Sequence, residues 1–167
     1  MLSRNLGFTL VEMLVVLAII AIIAAVSGIG MRNSFESARD AQRKSDLRQY
    51  QTALERQANN NNGFYESRTT AVDAPGAAGT LCADLVLTSC PVDPRRCADT
   101  TCTALKDNTW IQYTYISDGT GSGNPTGRNY VLWARLENVT TTTYWEICSN
   151  GKSGTVTTAP TNSTCDL

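Results

Sequence analysis

Gly7-Phe8-Thr9-Leu10-Val11-Glu12 opens an apolar run that continues to Val26, and Glu12 is the one charge inside it. From Leu10 onward almost every position is Leu, Ile, Val, Ala or Met. As a helix, Phe8 to Val26 is about 19 residues and about 28 Å long, close to one bilayer core. The chain has no second apolar stretch of that length to bury this one. A membrane or a bundle of copies is therefore the expected surrounding, in preference to a protein core. A carboxylate near the start of such a run needs a reason, because ionisable groups in lipid are costly and mark function.

On the N-terminal side, Met1 to Gly7 is short and polar, and Arg4 is its only basic side chain. The positive-inside tendency places it in the cytoplasm. An ordinary secretory signal has its small-residue cleavage site after the apolar run. Here the small residue, Gly7, precedes it, and no Ala-x-Ala site follows promptly. The run is expected to be retained. A cut after Gly7 would create an α-amino group at Phe8, four residues from Glu12. That amine can pair within the chain or with Glu12 of a neighbouring copy. The second option makes the packing of apolar helices self-complementary and directional.

On the C-terminal side, Gly28 and Gly30 each weaken a helix by about 1 kcal/mol relative to Ala. Helical spacing resumes at once through Met31, Phe35 and Ala38, then Leu47, Tyr50 and Leu54. The pattern predicts one long helix from Phe8 to about Ala58, softened at the glycines. Asp40 and Lys44 stand at i, i+4 in the favourable order. Arg39, Arg43, Lys44 and Arg48 read as a solvated helix face, with a contact between subunits as the alternative. Asn59-Asn60-Asn61-Asn62-Gly63 ends the helix, because Asn and Gly tolerate the left-handed cap.

Phe64 to Asn108 reads as irregular, with a short helix or turn at Leu81–Leu87, and it holds four of the six Cys. Strands are predicted at Trp110–Ile116, Tyr130–Glu137, Thr143–Cys148 and Thr155–Thr158, with a turn region at Asp118–Pro125. Consecutive strands joined by turns form an antiparallel meander, one face of which packs on the amphipathic half of the helix. The fold class is α+β: a long N-terminal helix on a small antiparallel sheet. The expected parts are a leader at 1–7, an assembly helix at 8–30, an amphipathic helix at 31–60, a Cys-rich connection at 61–108, and the sheet with a C-terminal loop at 109–167.

The net charge of −1 contains no basic block, which argues against nucleic acid as the main partner. There is no His, so the commonest general base and metal ligand are missing. No carboxylate pair is placed by any motif, and no catalytic role is expected. The Cys at 82, 90, 97, 102, 148 and 165 all lie beyond the apolar run and lack paired Cys-x-x-Cys knuckles, so disulfides are expected instead of zinc. Local pairs, Cys82 with Cys90 and Cys97 with Cys102, are one choice among several connectivities.

Gly7-Phe8-Thr9-Leu10-Val11-Glu12 and the run after it resemble the N-terminal signature of type IV pilins and of the pseudopilins of type II secretion, prepilins with a class III signal peptide. The resemblance implies a pilin-like fold and cleavage after Gly7 by a membrane-embedded prepilin peptidase. It also implies N-methylation of Phe8, and pairing of Glu12 with a neighbouring subunit's amino terminus. The plain alternative for Glu12 is a residue snorkelling at the end of a simple anchor. Beyond the helix, Asn62-Gly63-Phe64-Tyr65 is similar to the Asn-Gly-x-Tyr of many such proteins, and Cys90-Pro91-Val92-Asp93-Pro94 to their Pro-x-Asp-Pro. Read by itself, Asp93 is a turn former beside Pro94. Cys148 and Cys165 resemble the C-terminal disulfide loop of many pilins. Gly28 and Gly30 stand where the family usually has a helix Pro.

The implied partners are other copies in a helical filament, an assembly ATPase and an inner-membrane platform, with nucleic acid only as filament cargo. The implied location is the cytoplasmic membrane for the precursor and an extracellular or periplasmic filament after assembly. No cofactor is expected. Calcium at Asp118–Asn124 is the minority alternative, because some pseudopilins bind it near their sheet, although the spacing departs from an EF-hand. Function then follows from assembly: a pilus subunit, with a pseudopilin as the nearer alternative. A monomeric membrane-anchored binding ectodomain is the alternative of another class.

Overall fold

The computed structural model describes residues 8–27, 31–76, 79–95, 112–137 and 139–167. The chain divides into two compact units, Met1–Glu36 and Ser37–Leu167.

The first unit is built on helix α1, Leu10–Ser27. Its 18 residues span about 27 Å at 1.5 Å per residue. Every described side chain from Phe8 to Ala25 is exposed. Among the described residues, no helix is long and apolar enough to cross a membrane. The expected softening at Gly28 and Gly30 lies outside the described residues.

Helix α2, Met31–Asn60, carries the buried positions Asp40, Arg43, Leu47, Tyr50, Leu54 and Ala58 along one face of the second unit. The steps of three and four residues are those of a helix packed on a core. The stripe starts later than predicted, since Phe35 is 56 % exposed. The Asn-Gly end behaves as expected. Asn62 and Gly63 are left-handed, at φ 56° and 83°, and the Gly63 amide donates to Ala58 O at 2.8 Å.

The connection after α2 is more ordered than its sequence suggests. It contains β1, Tyr65–Glu66, β2, Val72–Asp73, and the short helix α3, Leu81–Asp84, capped by the Thr80 hydroxyl, which accepts from the Ala83 amide. Strands β3, Thr114–Ser117, β4, Pro125–Gly127, β5, Tyr130–Arg135, β6, Tyr144–Cys148, and β7, Ser153–Val156, complete the unit. Sheet order is β2-β3-β5-β6-β7, antiparallel throughout, with β1 and β4 forming a separate pair. The predicted meander is thus present, extended by β2 at one edge. The first predicted strand starts later, at Thr114, and Trp110 and Ile111 lie outside the described residues.

Alternation along the strands gives the sheet two faces. Tyr115, Tyr130, Leu132, Ala134 and Ile147 form the inner face, packed with Leu47, Tyr50 and Leu54 of α2 and with Leu81 and Leu85 around α3. Tyrosine hydroxyls reach polar groups on and beside the helix. Tyr113 donates to Asp46 Oδ2 at 2.7 Å, Tyr130 to Glu55 Oε1 at 3.1 Å, and Tyr50 to Pro91 O at 2.9 Å. On the outer face, Ile116, Val131, Trp133 and Tyr144 form a second, smaller cluster with Val156.

The largest departure from expectation is Arg43. Instead of facing solvent it is fully buried. Its Nε and Nη2 donate to Asp93 at 2.7 and 3.0 Å, and its Nη1 to Asp40 at 2.6 Å and to Glu137 at 3.2 Å. Burial disfavours its charge, but Asp93 and Asp40 outweigh that and hold it firmly protonated. Arg39 and Arg95 also pair with Glu137. Lys44 sits 4.4 Å over the Trp145 ring, while Asp40 turns to Arg43 and to the Glu137 amide. Of the four cations read as a solvated face, only Arg48 is classed as exposed.

Arg43→Ala should destabilise the Ser37–Leu167 unit by about 3–5 kcal/mol, because it leaves buried carboxylates uncompensated. Arg48→Ala should change stability by less than about 0.5 kcal/mol. Thermal or urea unfolding of the two variants checks the contrast.

Candidate functional site

Thr9 and Glu12 close a reciprocal cap at the start of α1. The Thr9 hydroxyl accepts from the Glu12 amide at 3.2 Å, and Glu12 Oε2 accepts from the Thr9 amide and hydroxyl, both at 3.0 Å. This is the capping box, Thr-x-x-Glu, which satisfies donors that a helix start leaves open. The Thr-x-x-Glu spacing is the signal for it in the sequence. The arrangement fixes the carboxylate at the helix N-terminus, where negative charge is favoured, and its contacts among the described residues use Oε2. Phe8 lies just before the cap and is 78 % exposed. Gly7 lies outside the described residues.

In the second unit, charged groups converge from three places. Asp40 and Arg43 come from α2, Asp93 from the segment after Cys90, and Glu137 from beyond the end of β5. Asp93 is a turn former as read, since its Oδ1 accepts from the Arg95 amide at 2.8 Å. It is also the buried partner of Arg43, which its sequence context did not reveal. Burial works to raise the Glu137 carboxyl, yet the Arg39 and Arg43 contacts outweigh it and hold it below its ordinary value of 4.5. Asp46 lies in the opposite regime: burial pushes it up, against the hydrogen bond from Tyr113.

Four cysteines pair as Cys82–Cys90 and Cys148–Cys165. Cys97 and Cys102 lie outside the described residues. The first bridge closes a loop that presents Val86, 82 % exposed and left-handed at φ 52°. A β-branched residue rarely adopts that conformation, and nothing in the local sequence announced it. The second bridge ties β6 to the C-terminal segment. Near the sheet, the Asp118 carboxylate accepts from the Arg128 and Asn129 amides and from Asn129 Nδ2. These bonds overcome its partial burial and hold it low. Gly119 is required in this turn. At φ 99° it runs so close to Ser67 that a Cβ would lie 2.6 Å from the hydroxyl.

Residues 2–28 match the family described as the prokaryotic N-terminal methylation motif. The match is consistent with the pilin and pseudopilin resemblance of the Gly7–Glu12 stretch. It includes α1 and none of the Ser37–Leu167 unit. No curated protein and no solved structure matches the chain.

Thr9→Val should open the cap. Amide exchange at Thr9 and Glu12, followed in detergent micelles, should accelerate roughly fivefold, the usual effect of losing an N-cap, while exchange in α2 stays unchanged. For the charge cluster, Glu137 has a lowered folded-state value, so its contribution is present above about pH 4.5 and is lost as pH falls through that lowered value. Wild-type thermal stability should decline below about pH 4.5, and Glu137→Gln should flatten that decline.

Proposed function

We propose that this chain is a structural subunit of a type IV pilus, serving adhesion, surface motility or DNA uptake. The precursor is held in the cytoplasmic membrane by its apolar helix, cut after Gly7 by a prepilin peptidase and methylated at Phe8. It then polymerises through α1, with the Ser37–Leu167 unit as the filament's outer surface. An assembly ATPase and an inner-membrane platform complete the machinery.

One observation carries this reading. The segment that bears the methylation motif is also a helix whose apolar side chains are exposed along its described length. Apolar surface on that scale calls for a partner. Copies of the same helix supply one, and lipid supplies it before assembly. The cap also suits the role. It leaves Glu12 at the head of the helix, within reach of an amino group on Phe8 or of one brought by a neighbour. Both the amine and the carboxylate are then satisfied as the subunit leaves the lipid.

The pseudopilin alternative draws on Asn62-Gly63-Phe64-Tyr65 and on Pro91-Val92-Asp93-Pro94. The first stretch forms the α2 cap and leads into β1, and the second supplies the buried partner of Arg43. Long extracellular fibres containing this chain, seen by electron microscopy, favour the pilus. Their absence, with secretion lost on deletion, favours the pseudopilus.

Mass spectrometry of the protein from peptidase-bearing cells should find a methylated Phe8 at the N-terminus. An intact Met1 there would sink both filament readings and favour a monomeric anchored ectodomain. Glu12→Val should still insert in the membrane but be excluded from filaments when co-expressed with wild type. Equal incorporation would count against the role given to Glu12.

A further inference from the structure

Glu146 is fully buried in β6. Its Oε1 accepts from the Asp166 amide at 3.1 Å, and its Oε2 has no hydrogen-bond partner among the described residues. Among the described residues no cation pairs with it. The surrounding groups are set by the register. Trp133 lies opposite on β5 and Gly154 opposite on β7, while Tyr144 and Cys148 flank it on its own strand. Arg135 shares this face, opposite Tyr144. Cys165 and Asp166 approach from the C-terminal segment, and the Cys148 sulfur lies 3.0 Å from Oε1. The two sulfurs are bonded to each other, so they offer no thiolates that would make this a metal site.

A buried carboxylate without a counter-charge either takes up a proton or forces its surroundings to open. Here the surroundings include the C-terminal segment. Lys152 Nζ donates to Leu167 O at 2.8 Å, and Leu167 packs so close to Gly154 that a Cβ there would lie 2.9 Å from its side chain. The Cys148–Cys165 bridge keeps the segment attached whatever the state of Glu146.

We propose that Glu146 is a proton-controlled latch: protonated, it lets residues 157–167 close over β6 and β7, and ionised, it loosens that segment within the limit set by the disulfide. Loss of the proton to water is the only chemical step. The direction agrees with the electrostatics. Burial, then the Asp166 carboxylate, raise Glu146 above its ordinary value of 4.5, and the Asp166 amide opposes them only in part. A group raised in the folded state gives its full stabilisation below its unfolded value and loses it as pH rises through the folded one. The proposal does not rest on the filament reading.

The test is hydrogen exchange by mass spectrometry on the full chain in detergent micelles, from about pH 5 to about pH 8, corrected for intrinsic rates. In wild type, protection of residues 157–167 should fall by up to about tenfold per pH unit between the ordinary carboxylate range and the raised Glu146 transition and level off above it, with protection of residues 40–58 unchanged. Glu146→Gln should keep the segment protected and nearly independent of pH, and Glu146→Met provides a second neutral side chain should the first misfold. In carbon NMR the wild-type Glu146 carboxyl should titrate at the pH where the exchange levels off. Identical pH profiles in wild type and the neutral variants, or a carboxyl that titrates at its ordinary value, would overturn the latch.

Discussion

A guanidinium enclosed by protein is tolerable only where carboxylates reach it from several directions, and Arg43 imposes that condition on the whole Ser37–Leu167 unit. Asp40 lies one turn away on the same helix. Asp93 and Glu137 come from segments 50 and 94 residues further along the chain. Glu137 is in turn fixed through its own amide, which donates to Asp40. The helix, the segment after the first disulfide and the end of the central strand therefore meet at one point with one geometry. Such a cluster adds little stability over a well-packed apolar core. What it adds is selection: few alternative packings would satisfy every charge.

The two units meet the hydrophobic effect in opposite ways. The second closes its own core, with tyrosines and leucines between helix and sheet and a smaller cluster on the sheet's far side. The first leaves its apolar side chains uncovered along α1. In the filament proposed above, the helix would carry the association chemistry in a short motif, while the second unit presents loops such as those around Val86 and Asp118.

Much of this was legible in local sequence. The apolar run, the Asn-Gly cap and the alternating strands each depend on neighbours within a few residues, and each lies about where the pattern put it. Arg43 was misread for a definite reason. Helical spacing shows which residues share a face but not that a face turned inward includes a charge, and the partners that make it tolerable are distant in sequence. Strands β1, β2 and β4, of two or three residues, leave too few alternations to detect. The Thr9–Glu12 cap is legible in the Thr-x-x-Glu spacing, which offers Glu12 a partner three residues away, nearer than any amine of a neighbour. Glu146 carries no local signal at all, since nothing nearby in the sequence shows that the chain returns over it.

The tyrosine contacts between helix and sheet have a mechanical consequence. Tyr113 on Asp46 and Tyr130 on Glu55 act as pegs roughly nine residues apart along α2. Sliding the helix by a single turn, about 5.4 Å, would part both hydroxyls from their carboxylates and pull Arg43 away from Asp93 and Glu137 in the same motion. Tension along the helix axis is thus resisted in shear by several polar contacts loaded in parallel, and yielding at one of them requires yielding at all.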